Sequence, residues 1–336
     1  MCSVLILAVV TGTIPAAGRA EAPNTPPPSA GDASAYPGRL VRLPDGRRLN
    51  FRCSGAGLPA VILEGGFAAT SLAWYKVQPL LAPDHEVCAY DRAGYGFSDP
   101  GPEPRDGAAI ARDLNEGLNA AGLVGPFILV GHSAGALYVQ LLTDLRPNDI
   151  AGMVLVDPSV EHQDAHFSAE FGPGAGSLAP LRARAQRCLE AAQAGLLPSH
   201  DPALTPCSRS PTSNQSAAVQ AARLAEALRP STWRTQISEL DNLWTRTSDE
   251  VGAGGVHYDQ MPFVVLTADG TYAGAPVALR ARLLAFWRSL HQDLAARSAR
   301  GRELLVDRSS HMMILDRPDA IARAVAEVSE ESGRAR

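Results

Sequence analysis

The chain has 336 residues, of which 46% are hydrophobic and 19% charged, a composition that supports a large packed core and excludes a wholly disordered chain. A formal net charge of -5 without a basic cluster gives no electrostatic basis for binding nucleic acid. Beyond the first residues no apolar run is long enough to span a bilayer.

In chain order, residues 1–20 read as a signal peptide. An unbroken apolar run over 4–10 is too short for a membrane helix, and Gly18 and Ala20 supply the small residues of a cleavage site. No basic segment precedes the run, and a buried strand is the competing reading. Residues 21–37, rich in Pro, Ala, Ser and Gly, read as a disordered linker. A hairpin is expected over 38–43 and 48–53, around Asp45-Gly46. Short apolar strands follow at 60–63, 85–90, 127–130 and 152–156, with helical patterns over 109–121 and 134–145. Strand patterns then stop until about residue 258. Helical segments at 178–194, 213–228 and 231–247 fill the interval, which reads as a cap or lid over 158–258. A strand at 263–266, a helix over 277–299, a strand at 303–306 and a helix over 318–328 complete the pattern. The fold class is α/β, a mostly parallel eight-stranded sheet with helices on both faces, its core formed by 38–157 and 259–336.

The strand at 127–130 runs into Gly131-His132-Ser133-Ala134-Gly135 and then into a helix. A Gly-x-Ser-x-Gly turn in that context exposes the serine hydroxyl on a sharp bend, and small residues on either side let strand and helix approach. Ser133 is therefore a candidate nucleophile. Four cysteines besides Cys2 are an even number compatible with two disulfides in an oxidising compartment; four buried thiols are the alternative. Cys188 and Cys207 lie close together in one helical region. His162, Asp164 and His166 share a helical spacing but lack a further ligand, so no metal is expected. Trp233 and Trp244, with Leu240 and Leu243, fit the underside of a cap helix and could line a pocket.

Four motifs in register resemble the α/β-hydrolase family from residue 38 to the end, apart from the detail of the cap. They are Glu64-Gly65-Gly66-Phe67 after the third strand, the turn from Asp91 to Asp99 with Gly94, Gly96 and Ser98 after the fourth, the serine turn after the fifth, and Ser310-His311 after the eighth. The family's strand order implies that Cys53 and Cys88 are cross-strand neighbours. The resemblance implies a triad of Ser133 as nucleophile, His311 as general base and an acid at one of two places. We favour Asp157, at the end of the sixth strand. Asp269, after the seventh, is the alternative; it stands two residues before the usual register, which Thr271 occupies. The backbone N–H of Ala134 and an N–H of the Gly66-Phe67 turn should form the oxyanion hole. Glu64 replaces the family's usual histidine, and a structural role is preferred to a catalytic one. His132 is expected to serve packing, and the Asp91 to Asp99 turn to brace the site.

These residues imply a serine hydrolase acting on a small-molecule acyl substrate without a cofactor. The partners expected exclude nucleic acid and stable membrane insertion after signal removal, and sequence pattern does not encode oligomeric state. A serine nucleophile argues against epoxide hydrolase and haloalkane dehalogenase. Esterase is the first choice, with lactonase, N-terminal proline aminopeptidase, carbon–carbon hydrolase and perhydrolase chemistry open. A non-catalytic binding protein of the same fold is the reading from another class. Signal peptide and cysteine pairs together imply secretion or a periplasmic location.

Overall fold

The computed structural model describes residues 33–208, 216–254 and 257–334. The expected signal peptide and residues 21–32 of the expected linker lie outside the described residues. Ala33–Ala35 form a single 3-10 turn, and the Arg52 guanidinium donates to the Tyr36 carbonyl just after it.

Eight strands, β1 (Arg39–Arg42), β2 (Arg48–Ser54), β3 (Ala60–Glu64), β4 (Val87–Asp91), β5 (Phe127–His132), β6 (Ile150–Val156), β7 (Phe263–Ala268) and β8 (Gly301–Val306), form one sheet. Their order is β1-β2-β4-β3-β5-β6-β7-β8. Pairing is antiparallel through β1, β2 and β4 and parallel from β4 to β8. Helices α1 (Gln78–Leu81), α2 (Gly107–Ala121), α3 (Gly135–Leu145), α9 (Val277–Ala295), α10 (Met313–Asp316) and α11 (Pro318–Arg334) belong to the same layers. Between β6 and β7 lie α4 (Gln163–Phe171), α5 (Ala179–Gln193), α6 (Ala217–Ala227), α7 (Pro230–Leu243) and α8 (Arg246–Ala253), with no strand among the described residues of that interval.

The two-residue alternation of a strand divides the core. Phe127 and Leu129 of β5, with Ile62 and Leu155, pack with Leu114, Leu118, Val139 and Leu142 of α2 and α3. Ile128 and Val130, with Val61, Leu63 and Val154, pack with Ile321, Val325 and Val328 of α11. Both faces of β5 are thus covered, which is why its sequence reads as an unbroken apolar run. Helix α2 begins at Asp106, whose carboxylate accepts from the Ala109 N–H, and ends at Gly122 in the left-handed region.

Two local expectations change. The helix expected over 231–247 is two helices: the Ser248 hydroxyl donates to the Leu243 carbonyl at 2.9 Å, capping α7 where a continuous helix would need a backbone donor. Helix α4 lies outside the expected elements because its apolar residues, Ala165, Phe167, Ala169 and Phe171, fall at alternate positions without helical periodicity, and it buries only Phe167.

Cys53 and Cys88 are register partners across β2 and β4, with Cα atoms 4.1 Å apart and sulfurs at disulfide distance. Cys188 and Cys207 are likewise paired, 5.3 Å apart at Cα, within a cluster that includes Leu189, Trp233 and Leu240. The latter bond closes a loop with a sequence separation of 19. Replacing Cys188 and Cys207 together by serine should cost about 3 kcal/mol and lower the calorimetric Tm by roughly 5–10 °C. Alkylation of denatured wild type without reductant should leave these four cysteines unmodified.

Candidate active site

Strand β5 ends at His132 and α3 begins at Gly135, so two residues turn the chain from strand to helix. The turn closes because two side chains are missing. A Cβ on Gly131 would lie 2.8 Å from the Ala136 Cα, and one on Gly135 would lie 2.6 Å from the carbonyl oxygens of both Glu64 and Gly65. Ser133, between them, has a φ of 53°, unusual for a residue with a side chain. Its N–H donates to the Val156 carbonyl at 3.1 Å and its carbonyl accepts from the Ser159 N–H at 3.0 Å, which ties the bend to the end of β6.

His311, on the loop after β8, has Nε2 3.0 Å from the Ser133 hydroxyl and Nδ1 2.7 Å from Oδ2 of Asp157. The Asp157 carboxylate is buried and follows β6 directly. Its Oδ2 also accepts from the Thr271 hydroxyl at 2.6 Å, and its Oδ1 from the Ala268 N–H at 3.1 Å and the Trp287 indole N–H at 3.0 Å. Burial alone would raise the Asp157 pKa. The hydrogen bond and charge of His311, with His291 and Thr271, outweigh that effect and hold it below the ordinary carboxylate value.

Asp269 is placed differently. Its carboxylate accepts from the backbone N–H groups of Arg308 at 2.9 Å and Ser309 at 3.0 Å, so it braces the turn that carries His311. Thr271 occupies the register in which the family resemblance puts an acid, and there it donates to Asp157.

Trp287 was not anticipated. It lies on α9, 130 residues from Asp157, and packs against Phe167 of α4 with ring centroids 5.8 Å apart. A tryptophan on the apolar face of a helix carries no sequence mark that separates an indole donor from core.

On the other side of Ser133, a Cβ on Gly66 would lie 3.0 Å from the serine Cβ, so the turn after β3 runs against the nucleophile candidate. The N–H groups of Phe67 and Ala134 donate to no group among the described residues. Glu64 is fully buried, accepts from the Tyr90 hydroxyl, and pairs with Arg92 at 2.7 Å. Its pKa is raised by burial, against the opposing pull of Arg92 and Tyr90.

The other candidates separate. Trp233 donates to the Ala227 carbonyl inside the insertion's own cluster, whereas Trp244 packs with Ala134, Leu137 and Tyr138. His162 precedes α4 and sits 3.4 Å from Asp249. Among the described residues no group of three or more His, Cys, Asp or Glu side chains is placed to hold a metal.

His132 does more than fill space. Its Nε2 lies 2.8 Å from the His311 carbonyl, joining the nucleophile turn to the histidine loop. Burial, helped by the neighbouring His311, lowers its pKa to about 4. Being depressed below the unfolded value of about 6.5, it contributes stability that is present above that pH and is lost as pH falls toward 4. Urea unfolding near pH 7 and near pH 4.5 should therefore differ by roughly 2–3 kcal/mol from this residue, and His132→Gln should flatten that part of the slope.

The model of the alpha/beta hydrolase family matches residues 53–324. A protein of Gibberella zeae named as an AB hydrolase superfamily protein is 36% identical over 129 residues, covering 37% of this chain and 40% of that protein. The chain matches less than half the length of the curated relatives it resembles. Wild-type DbjA superposes with a TM-score of 0.62 at 18% identity, covering 89% of this chain and 99% of its own. A thermophilic esterase from Thermogutta terrifontis gives 0.56 at 17%, covering 88% and 98%. At such identities these two structures speak for the fold, and the family match over most of the length settles the assignment: the chain belongs to the alpha/beta hydrolase family.

Proposed function

We propose that the protein is a serine hydrolase that cleaves an ester or related acyl bond through an acyl-enzyme on Ser133. The observation that carries this reading is the continuous chain from the Ser133 hydroxyl through His311 to the buried Asp157. His311 Nε2 takes the hydroxyl proton as Ser133 Oγ attacks the acyl carbon, then returns it to the leaving group. Asp157 holds the proton on Nδ1 and stabilises the imidazolium. The N–H groups of Phe67 and Ala134 receive the oxyanion, Gly66 allowing the approach. Water, deprotonated by the same imidazole, releases the acid. Apart from water, these steps use only side chains and amides of the chain and call on no cofactor.

Ester cleavage is the first assignment. Aminopeptidase, lactonase or carbon–carbon hydrolase activity would run on the same residues. Residues 158–258 act as a lid over the site in this reading. The two cysteine pairs at disulfide distance support an oxidising, secreted or periplasmic setting, and no helix among the described residues is long and apolar enough to cross a membrane.

A fluorophosphonate probe should label the folded protein and fail to label Ser133→Ala; an unlabelled wild type would contradict acyl transfer. On short-chain p-nitrophenyl esters, Asp157→Asn should lose on the order of 10⁴ in kcat. Asp269→Asn should keep most of its activity, and the opposite ranking would move the acid to Asp269.

A further inference from the structure

Arg92 stands in the turn directly after β4, and its side chain is 2% exposed. Burial of a guanidinium costs several kcal/mol unless its charge and its donors are met. Here all five N–H groups have acceptors. Nη1 donates to Oε1 of Glu64 and to the Gly65 carbonyl, both at 2.7 Å. Nη2 donates to the Gly66 carbonyl at 2.8 Å and to Oε2 of Glu239 at 3.3 Å, and Nε to Oε1 of Glu239 at 3.1 Å. The rings of Tyr95 and Tyr138 lie 5.1 and 5.3 Å from the guanidinium carbon.

Two of those acceptors belong to the turn that passes Ser133. The Gly66 carbonyl and the Phe67 N–H are opposite ends of one planar peptide. Holding that carbonyl by a charge-assisted bond therefore fixes the direction in which the Phe67 N–H points. The remaining carboxylate comes from elsewhere: Glu239 is buried on α7, in the helical insertion, 147 residues along the chain from Arg92. The same insertion is fastened to the turn after β4 by the Thr232 hydroxyl on the Gly94 carbonyl at 3.2 Å, and by the Gly96 N–H on Glu226 at 2.9 Å.

We infer that Arg92 is a positioning residue that aims the Phe67 N–H at the oxyanion, and that Glu239 makes the helical insertion a working part of that device. This rests on the acyl-transfer reading above. Glu64 then has a definite role: its carboxylate anchors the guanidinium beneath the turn. A shift of α7 relative to the sheet would be felt at the oxyanion donor, without any residue of the insertion touching the reacting atoms.

The test compares wild type, Glu239→Gln and Arg92→Lys, using p-nitrophenyl butyrate for turnover and an octyl trifluoromethyl ketone for inhibition. The ketone carbon bonds to Ser133 Oγ, the hydroxyl proton passes to His311, and the carbonyl electron pair becomes an oxyanion. Both variants should lose about 10- to 100-fold in kcat with KM within about threefold, and ketone affinity should fall by the same factor as kcat/KM. A purely structural role would lower Tm and leave that parallel loss absent. Should Arg92→Lys not fold, the near-isosteric Glu239→Gln decides. A folded Glu239→Gln with unchanged kcat and ketone affinity, or with a change in KM alone, overturns the inference. Wild type inert to ester, ketone and fluorophosphonate alike would overturn the hydrolase reading and this one with it; reactive wild type with unaffected variants overturns only this one.

Discussion

The close approach of three backbones at the carboxyl ends of β3, β5 and β6 is the constraint on which the site depends. Gly135 leaves its Cβ position to the carbonyls of Glu64 and Gly65, and Gly131 leaves its own to the first turn of α3. With those two side chains absent, Ser133 can be held at a positive φ, its amide on the Val156 carbonyl and its Cβ beside Gly66. Parallel strands end on the same edge, so Asp157 emerges one residue past β6 on the same side. These close approaches together set the relative positions of the hydroxyl, the carboxylate and the turn that offers Phe67.

Charge is handled differently on the two sides of the serine. Asp157 is solvated by four protein donors, one of them an imidazole that can take up charge. Glu64 and Glu239 share a single guanidinium, assisted by the Tyr90 hydroxyl. Removing one partner from a buried ionic group typically costs 3–5 kcal/mol because the other is left unpaired. Each cluster accordingly acts as a unit, and each draws a member from a distant part of the chain: Trp287 from α9 for the first, Glu239 from α7 for the second.

What could be read from the sequence follows from how local the governing physics is. The apolar runs of β3, β5 and β7, and the glycines around Ser133, are local signals, and they located the sheet and the candidate nucleophile. His311 is a candidate from its place after the last strand, and the fold brings its ring to the Ser133 hydroxyl. The choice between Asp157 and Asp269 stayed open because both follow a strand and precede His311; only the third dimension puts Thr271 against the first and the Arg308 and Ser309 amides against the second. Arg92 lay inside a recognised motif, yet its role depends on five acceptors spread over four residues. The break between α7 and α8 leaves no periodic trace because it rests on a hydroxyl cap, and α4 is hidden because its apolar residues alternate instead of recurring at helical spacing.

Thr271 also marks a place at which such a site could be rebuilt. Its hydroxyl stands 2.6 Å from the Asp157 oxygen that His311 shares, so a carboxylate introduced there would stand beside the acid that now faces the imidazole. For a time two acids would compete for one proton, and their repulsion would push one of them toward neutrality at working pH. A lineage could pass through that doubly acidic state and then discard either carboxylate, moving the charge from one strand to the next while the serine and histidine stayed where they are. The threonine hydroxyl, which donates without bearing charge, leaves the present chain one substitution from that crossing.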